Sequence, residues 1–227
     1  MVSLSDLRAV VHADALGRIV SLSLGVSLSA TALATLLGTP LGAALAIYAV
    51  PGRRLLVVAV NALLGLPPVV VGLALYLLLS RSSPLGMLGL LFTPGAMVLA
   101  QTVLALPIVT ALVHDAAADV WAEYGPALQV DGATRLHAIP YLLPMARTRL
   151  ITAILAGFGR TISEVGAILI VGGNIAEYTR TMTTAIVLET SEGHLALALG
   201  LGMILIGISV AVSASIFALG NRYARWS

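Results

Sequence analysis

IVSLSLGVSLSATALATLLGTPLGAALAIYAV, residues Ile19–Val50, carries no charged side chain. About 20 mostly apolar residues cross the hydrocarbon core of a bilayer, so this run is long enough to tilt or to extend past it. Four further runs of the same kind follow, at about Leu55–Ser80, Pro94–Val113, Leu150–Gly172 and Leu195–Leu219. Gly and Pro recur inside them, as is usual in membrane helices, and close Gly/Ala packing is expected between them. The expected fold is therefore all-α: a polytopic membrane protein with five transmembrane helices in a single transmembrane domain, residues 1–227. Residues 1–18 form an outer N-terminal segment, in which 3–16 can make a short helix lying at the interface.

Composition points the same way. The chain is 59% hydrophobic and 10% charged, with a mean hydropathy of +1.04. Soluble domains are about 45–50% apolar and about 25% charged. The net charge is +2 and every basic residue is Arg. Such a weak excess, unclustered, argues against nucleic-acid binding. With no Cys, thiolate chemistry and Cys-based metal sites are excluded. With no Lys, so are a phosphate-loop lysine and a Schiff base. If ATP drives this protein, another chain must bind it. Asp6, Arg8, His12, Asp14 and Arg18 interrupt the N-terminus before the first apolar run, unlike a signal peptide.

Arg placement sets the expected orientation. Arg53, Arg54, Arg135, Arg147, Arg149, Arg222 and Arg225 fall on one side, against Arg8, Arg18, Arg81 and Arg180 on the other. The richer side is expected to be cytoplasmic, which puts the N-terminus outside and the C-terminus inside.

Two polar stretches interrupt the apolar pattern. The first, 114–149, is read as a cytoplasmic coupling segment. Pro126 can start a helix, Gly132 breaks it, and Ala133–Ile139 resumes before Pro140 and Pro144 stop it. A short helix–Gly–helix at the membrane surface can sit in a partner's groove and pass motion to the adjoining spans; an ordinary surface loop fits the composition equally. The second stretch, 173–194, is read as an outer loop. Its Asn174, Thr179, Arg180, Thr181, Thr183 and Thr184 offer donors suited to an oxyanion, although a merely solvated loop has the same composition. His194 beside Glu189 and Glu192 is too sparse a set to predict a metal site.

Within the spans, Pro67-Pro68 removes backbone donors and bends the helix. Freed carbonyls at membrane depth are tolerated against protein or a water-filled cavity, so Pro67, Pro68 and Val69 are read as a bend facing a path, with a plain packing kink as the alternative. Arg160 and Glu164 are the charges inside a predicted span. Their i,i+4 spacing places them on one helix face, where they can pair. Two readings stand: a pair that fixes packing, or contact with substrate. A lone paired Arg is poorly suited to moving anions, because a strong site would trap them. No catalytic constellation occurs.

These residues carry a resemblance. Ala127, Leu128, Asp131, Gly132, Ala133, Thr134 and Arg135, followed by Pro144, resemble the coupling motif of ABC importer permeases. Here Pro126 takes the place of the motif's Glu, with Glu123 one turn earlier, and the Gly-to-Pro spacing is one residue short. Gly65-Leu66-Pro67-Pro68-Val69-Val70-Val71-Gly72 is similar to the second-span signature of molybdate, tungstate and sulfate permeases, and Pro107 sits where those relatives also have a Pro. FGRTISEVGAILIVGGNIAEYTRTM, Phe158–Met182, resembles their fourth span and following loop. MTTAIVLETSEGHLALALGLG, Met182–Gly202, looks most like the tungstate branch.

The resemblance covers roughly Pro51–Gly202. It implies a type I ABC importer permease core that works as a homodimer in a prokaryotic cytoplasmic (inner) membrane. It further implies cytoplasmic ABC ATPase subunits, which hold the ATP and Mg, and an extracytoplasmic tungstate- or molybdate-binding protein. No cofactor is expected on this chain. An ion-gradient-driven secondary anion transporter is the alternative, with Arg160 and Glu164 as its available intramembrane ligands. A non-transporting membrane protein is a further one, which would leave the Asp131–Arg135 segment without a partner.

Overall fold

The computed structural model describes residues 4–48, 51–130 and 134–224, with side chains described within 15–48, 51–130, 134–135 and 137–218. These residues form α1 (Leu4–Ile47), α2 (Arg53–Leu63), α3 (Pro68–Leu79), a short 3-10 turn (Pro84–Leu88), α4 (Pro94–Val130), α5 (Arg135–Met145), α6 (Arg147–Ile162), α7 (Gly166–Gly172), α8 (Met182–Ser191) and α9 (Leu195–Ala224). No strand occurs among the described residues. Within Ala15–Ile47, Pro94–Val130 and Leu195–Ala218, α1, α4 and α9 are each long and apolar enough to cross a membrane. The pairs α2+α3 and α6+α7 qualify as broken spans, which brings the count to as many as five.

Several boundaries differ from the sequence reading, each for a local reason. The separate interfacial helix expected over 3–16 is instead the first part of α1, because nothing between it and Ile19 breaks the backbone ladder. The helix of the third span does not end at Val113. Ala-rich sequence sustains α4 to Val130, with Pro126 inside the helix rather than at its start. Pro140 and Pro144 likewise sit inside α5 instead of stopping it. An interior Pro costs about 3 kcal/mol. Here Ala138 and Leu142 of the same helix are fully buried in an apolar cluster, and that packing outweighs the local penalty.

Two compact units divide the chain. One draws on residues up to Ser29, Pro68–Gln101 and Ile162–Ile208; the other on Ala30–Pro67, Thr102–Thr161 and the residues from Ser209 onward. The second holds the apolar cluster: Ala34, Ala43, Ala46, Ile47, Ala105, Val109, Val113, Ala117, Ala138, Leu142 and Ala153. Small residues let its helices touch. A Cβ on Gly42 would lie 2.6 Å from the carbonyl oxygen of Thr110 and 2.9 Å from the backbone nitrogen of His114. Gly38 and Gly42, four residues apart on α1, thus bring its backbone directly against α4. Thr31 and Thr161 share a buried hydrogen bond of 3.0 Å in the same unit.

Candidate functional site

In the first unit the second helices of the two broken spans, α3 and α7, meet. α3 begins at Pro68, the first helical position, where a missing N–H is harmless. Its first turns lie against the start of α7. A Cβ on Gly166 would lie 3.0 Å from Cγ2 of Val69 and 3.7 Å from Cβ of Pro68. A Cβ on Gly72 would lie 2.8 Å from Cα of Ala167. At Gly72 the Ala167 backbone leaves no room for a Cβ.

The break between α6 and α7 falls at Ser163–Val165, and Glu164 occupies it, buried at 4% exposure. The backbone N–H groups of Val165 and Ala167 each donate to its Oε1 at 3.1 Å. Its carbonyl oxygen accepts from the Thr183 hydroxyl at 2.9 Å. A carboxylate at a helix N-terminus meets otherwise unpaired donors and the positive end of the helix dipole. Glu164 therefore stabilises the interruption itself, a role the sequence reading did not contain. Arg160 lies half-buried in the last turn of α6.

Beyond α7 the chain turns through Gly173 and Asn174, both at positive φ (72° and 48°). Thr179, almost fully buried, donates from its hydroxyl to the carbonyl of Gly172 at 2.6 Å and accepts from the backbone N–H of Ile175 at 2.9 Å. The stretch 173–194 contains α8, opened by a reciprocal cap. The Thr181 hydroxyl accepts from the Thr184 backbone N–H, and the Thr184 hydroxyl accepts from that of Thr181. Thr181, Thr183 and Thr184 are all buried, and Met182 N–H donates to the hydroxyl of Ser23 on α1 at 2.8 Å. Asn174 and Arg180 are half-buried. The Oδ1 of one and the Nε of the other are buried without a hydrogen-bond partner. At the α8–α9 turn, His194 Nδ1 lies 2.9 Å from Glu189 Oε2 and 3.6 Å from Glu192 Oε2, with His194 and Glu192 exposed and Glu189 half-buried.

Of the residues read as a path or gate, Pro68, Val69, Glu164, Asn174, Thr179 and Arg180 thus gather in one unit. Pro67 is exposed in the break before α3, and it and Arg160 belong to the other unit.

The described coupling residues are all in that other unit too. Ala127 is exposed and Leu128 packs on the apolar cluster, both near the end of α4. Asp131, Gly132 and Ala133 lie outside the described residues. Thr134 caps α5 by accepting from His137 N–H, and Arg135 donates from Nη1 to the carbonyl of Ile47, the last residue of α1, at 3.2 Å. Pro144 is exposed near the end of α5.

Residues 38–223 match the model of the family described as the binding-protein-dependent transport system inner membrane component. The chain belongs to that family. Its members are transport permeases and not enzymes, and this one is an inner-membrane, multi-pass ABC importer permease subunit. The chain is similar to a probable anion ABC transporter permease protein of Haloferax volcanii, 40% identical over 78% of each chain. It is similar to the tungstate uptake system permease protein TupB of Peptoclostridium acidaminophilum, 37% identical over 77% of each. With the molybdenum transport system permease protein ModB of Azotobacter vinelandii it shares 32% identity over 53% of this chain and 57% of the relative.

Proposed function

We propose that this permease imports tungstate, or the closely related molybdate, through a pathway built at the paired breaks of α3 and α7. The sequence relation to a tungstate permease over 77% of both chains carries the choice of anion. Within the unit, the meeting of Pro68 and Val69 with Gly166, beside Glu164 capping the start of α7, supports the place. Interrupted helices at membrane depth belong where backbone faces protein or a water-filled route.

The working assembly is a homodimer of this chain with two cytoplasmic ABC ATPase subunits and an extracytoplasmic oxyanion-binding protein. The N-terminus lies outside and the C-terminus in the cytoplasm. ATP and Mg bind the ATPase, and this chain holds no cofactor. Residues 127–135 and Pro144 dock into the ATPase. Closure of the ATPase dimer draws the coupling segments together and opens the spans outward; hydrolysis restores the inward-facing state. The hydrogen bond from Arg135 to the end of α1 supports such a transfer, because a shift of α5 pulls on the first span.

The test is uptake of tungstate into vesicles holding the co-purified permease and ATPase. We expect uptake that requires ATP and the binding protein. Equal uptake driven by an ion gradient without ATP would overturn the reading.

A further inference from the structure

The first unit also holds a cavity of about 690 Å³. Its walls are α1 from Ala15 to Ser29, the start of α4 at Pro94, Gly95 and Val98, and the turn 176–180. Most of the wall is Ala, Gly, Leu, Ile and Val, and its charges are Arg18, Glu177 and Arg180. Arg18 Nη2 pairs with Glu177 Oε1 at 3.2 Å, with both side chains exposed. Arg180 is half-buried, with its Nε lacking a partner. The first residues of α4, 37 residues long, add the positive end of a helix dipole to the same wall. Glu177 holds φ at 63°, an uncommon conformation for a non-glycine residue.

We propose that this cavity is a weak receiving site for a tetrahedral oxyanion, held between Arg18 and Arg180, with Glu177 as the built-in carboxylate that occupies Arg18 until the anion arrives. The charge arithmetic favours it. While Glu177 is paired, the three groups sum to one positive charge. Once it swings away, two guanidinium groups face a doubly charged tetraoxoanion. Guanidinium is the side chain whose fork matches such oxygens. The internal competitor keeps the site weak, as a path requires, since an ion must leave as readily as it enters. The proposal rests on the import reading for which anion arrives. The phosphate of an anionic lipid shares its chemistry.

Two measurements on the full chain in its transporter complex, in nanodiscs without nucleotide or binding protein, test it. The first titrates tungstate into discs of zwitterionic lipid. We expect saturable, weak binding. Arg180→Gln weakens it about tenfold, the loss of one charge-assisted contact. Glu177→Gln tightens it several-fold, and that gain disappears when Arg18→Gln is added. A fold defect would not produce the tightening. The second measurement uses native mass spectrometry to count retained phosphatidylglycerol. Retention that depends on Arg180 identifies a lipid phosphate as the source. The proposal is overturned if neither tungstate nor lipid responds to Arg180. It also falls if, in a separate pull-down with the binding protein added, Arg180→Gln weakens capture of that protein while tungstate and lipid binding are unchanged, which would make the cavity a protein contact. Because the titration uses no ATP, its failure leaves ATP-driven uptake standing, and loss of uptake leaves the titration readable.

Discussion

The two units weight burial differently. In one, α1 and α4 pass each other as unbroken helices, and Ala, Val and Gly fill the space between them. In the other, both α3 and α7 begin at interruptions, and the buried set includes Ser23, Glu164, Thr179, Thr181, Thr183 and Thr184. A small-residue interface between continuous helices has one tight arrangement, because its contacts are backbone against backbone. Hydroxyl and carboxylate networks over short helices satisfy each polar group, yet the partners can be exchanged. A permease needs both: a stiff part that transmits a displacement and a part whose backbone accommodates a passing ion. The contrast can be broken by mutation.

The largest expected effect is in the stiff unit. Gly42→Leu forces a side chain into the Thr110 carbonyl and the His114 backbone, neither of which can rotate away. Overpacking usually costs about 1–3 kcal/mol, and contact with the α4 backbone at two points puts this change at about 3 kcal/mol or more. The readout is the apparent melting temperature of the detergent-solubilised transporter, with loss of assembled complex on size exclusion. A variant that melts like the wild type would show that this contact gives way easily, and the comparison would fail.

Gly72→Ala tests the other unit with a smaller insult. Its Cβ would press on Cα of Ala167 at 2.8 Å. Because α7 is a single short helix beside a break, it can shift to relieve part of the strain. We expect about 1–2 kcal/mol of destabilisation, with tungstate uptake falling much further than stability. Equal loss of both would mean that the α3–α7 contact is packing and nothing more.

Glu164→Ala follows. It removes the acceptor for two backbone donors at the head of α7, and charge-assisted hydrogen bonds are worth about 1.5–3 kcal/mol each before relaxation. Water reaching the break would recover part of that. The expected net loss is about 2 kcal/mol, with Glu164→Gln losing about half as much, because the amide oxygen still accepts both N–H groups but carries no charge. If Gln is as damaging as Ala, the charge itself matters and the cap is not the main role.

These residues also mark what a sequence can disclose. The apolar runs were legible because a bilayer demands length and composition, and Pro67-Pro68 announced the first break because proline lacks a donor. The second break carried no proline. Its signal was Glu164 itself, a lone carboxylate in an apolar run; i,i+4 spacing pointed to Arg160 and said nothing of the two N–H groups beside it. The helix Met182–Ser191 was hidden by its threonines, which read as loop donors until Thr181 and Thr184 are seen capping each other. The prolines of α4 and α5 misled in the other direction, since local propensity could not anticipate the burial of Ala138 and Leu142. The cavity was out of reach altogether: Arg18 and Arg180 are far apart in the chain, and folding alone sets them around one cavity.

The smallest effect is expected at Asp119, which pairs with Arg149 on the surface of the stiff unit. Both side chains are more than half exposed, at 64% and 60%. Exposed pairs of this kind contribute about 0–1 kcal/mol, because water screens the attraction and two long side chains lose freedom. Asp119→Asn should therefore leave the melting temperature and tungstate uptake unchanged, at low and at high salt. The result discriminates because Asp119 and Arg149 join α4 to α6 on the same unit as the Gly42 contact. If the unit is held by its interior, deleting a surface tie is silent while one added side chain at Gly42 is ruinous. A salt-dependent loss in the Asp119 variant would reverse that order and make the stiffness a property of the surface charges.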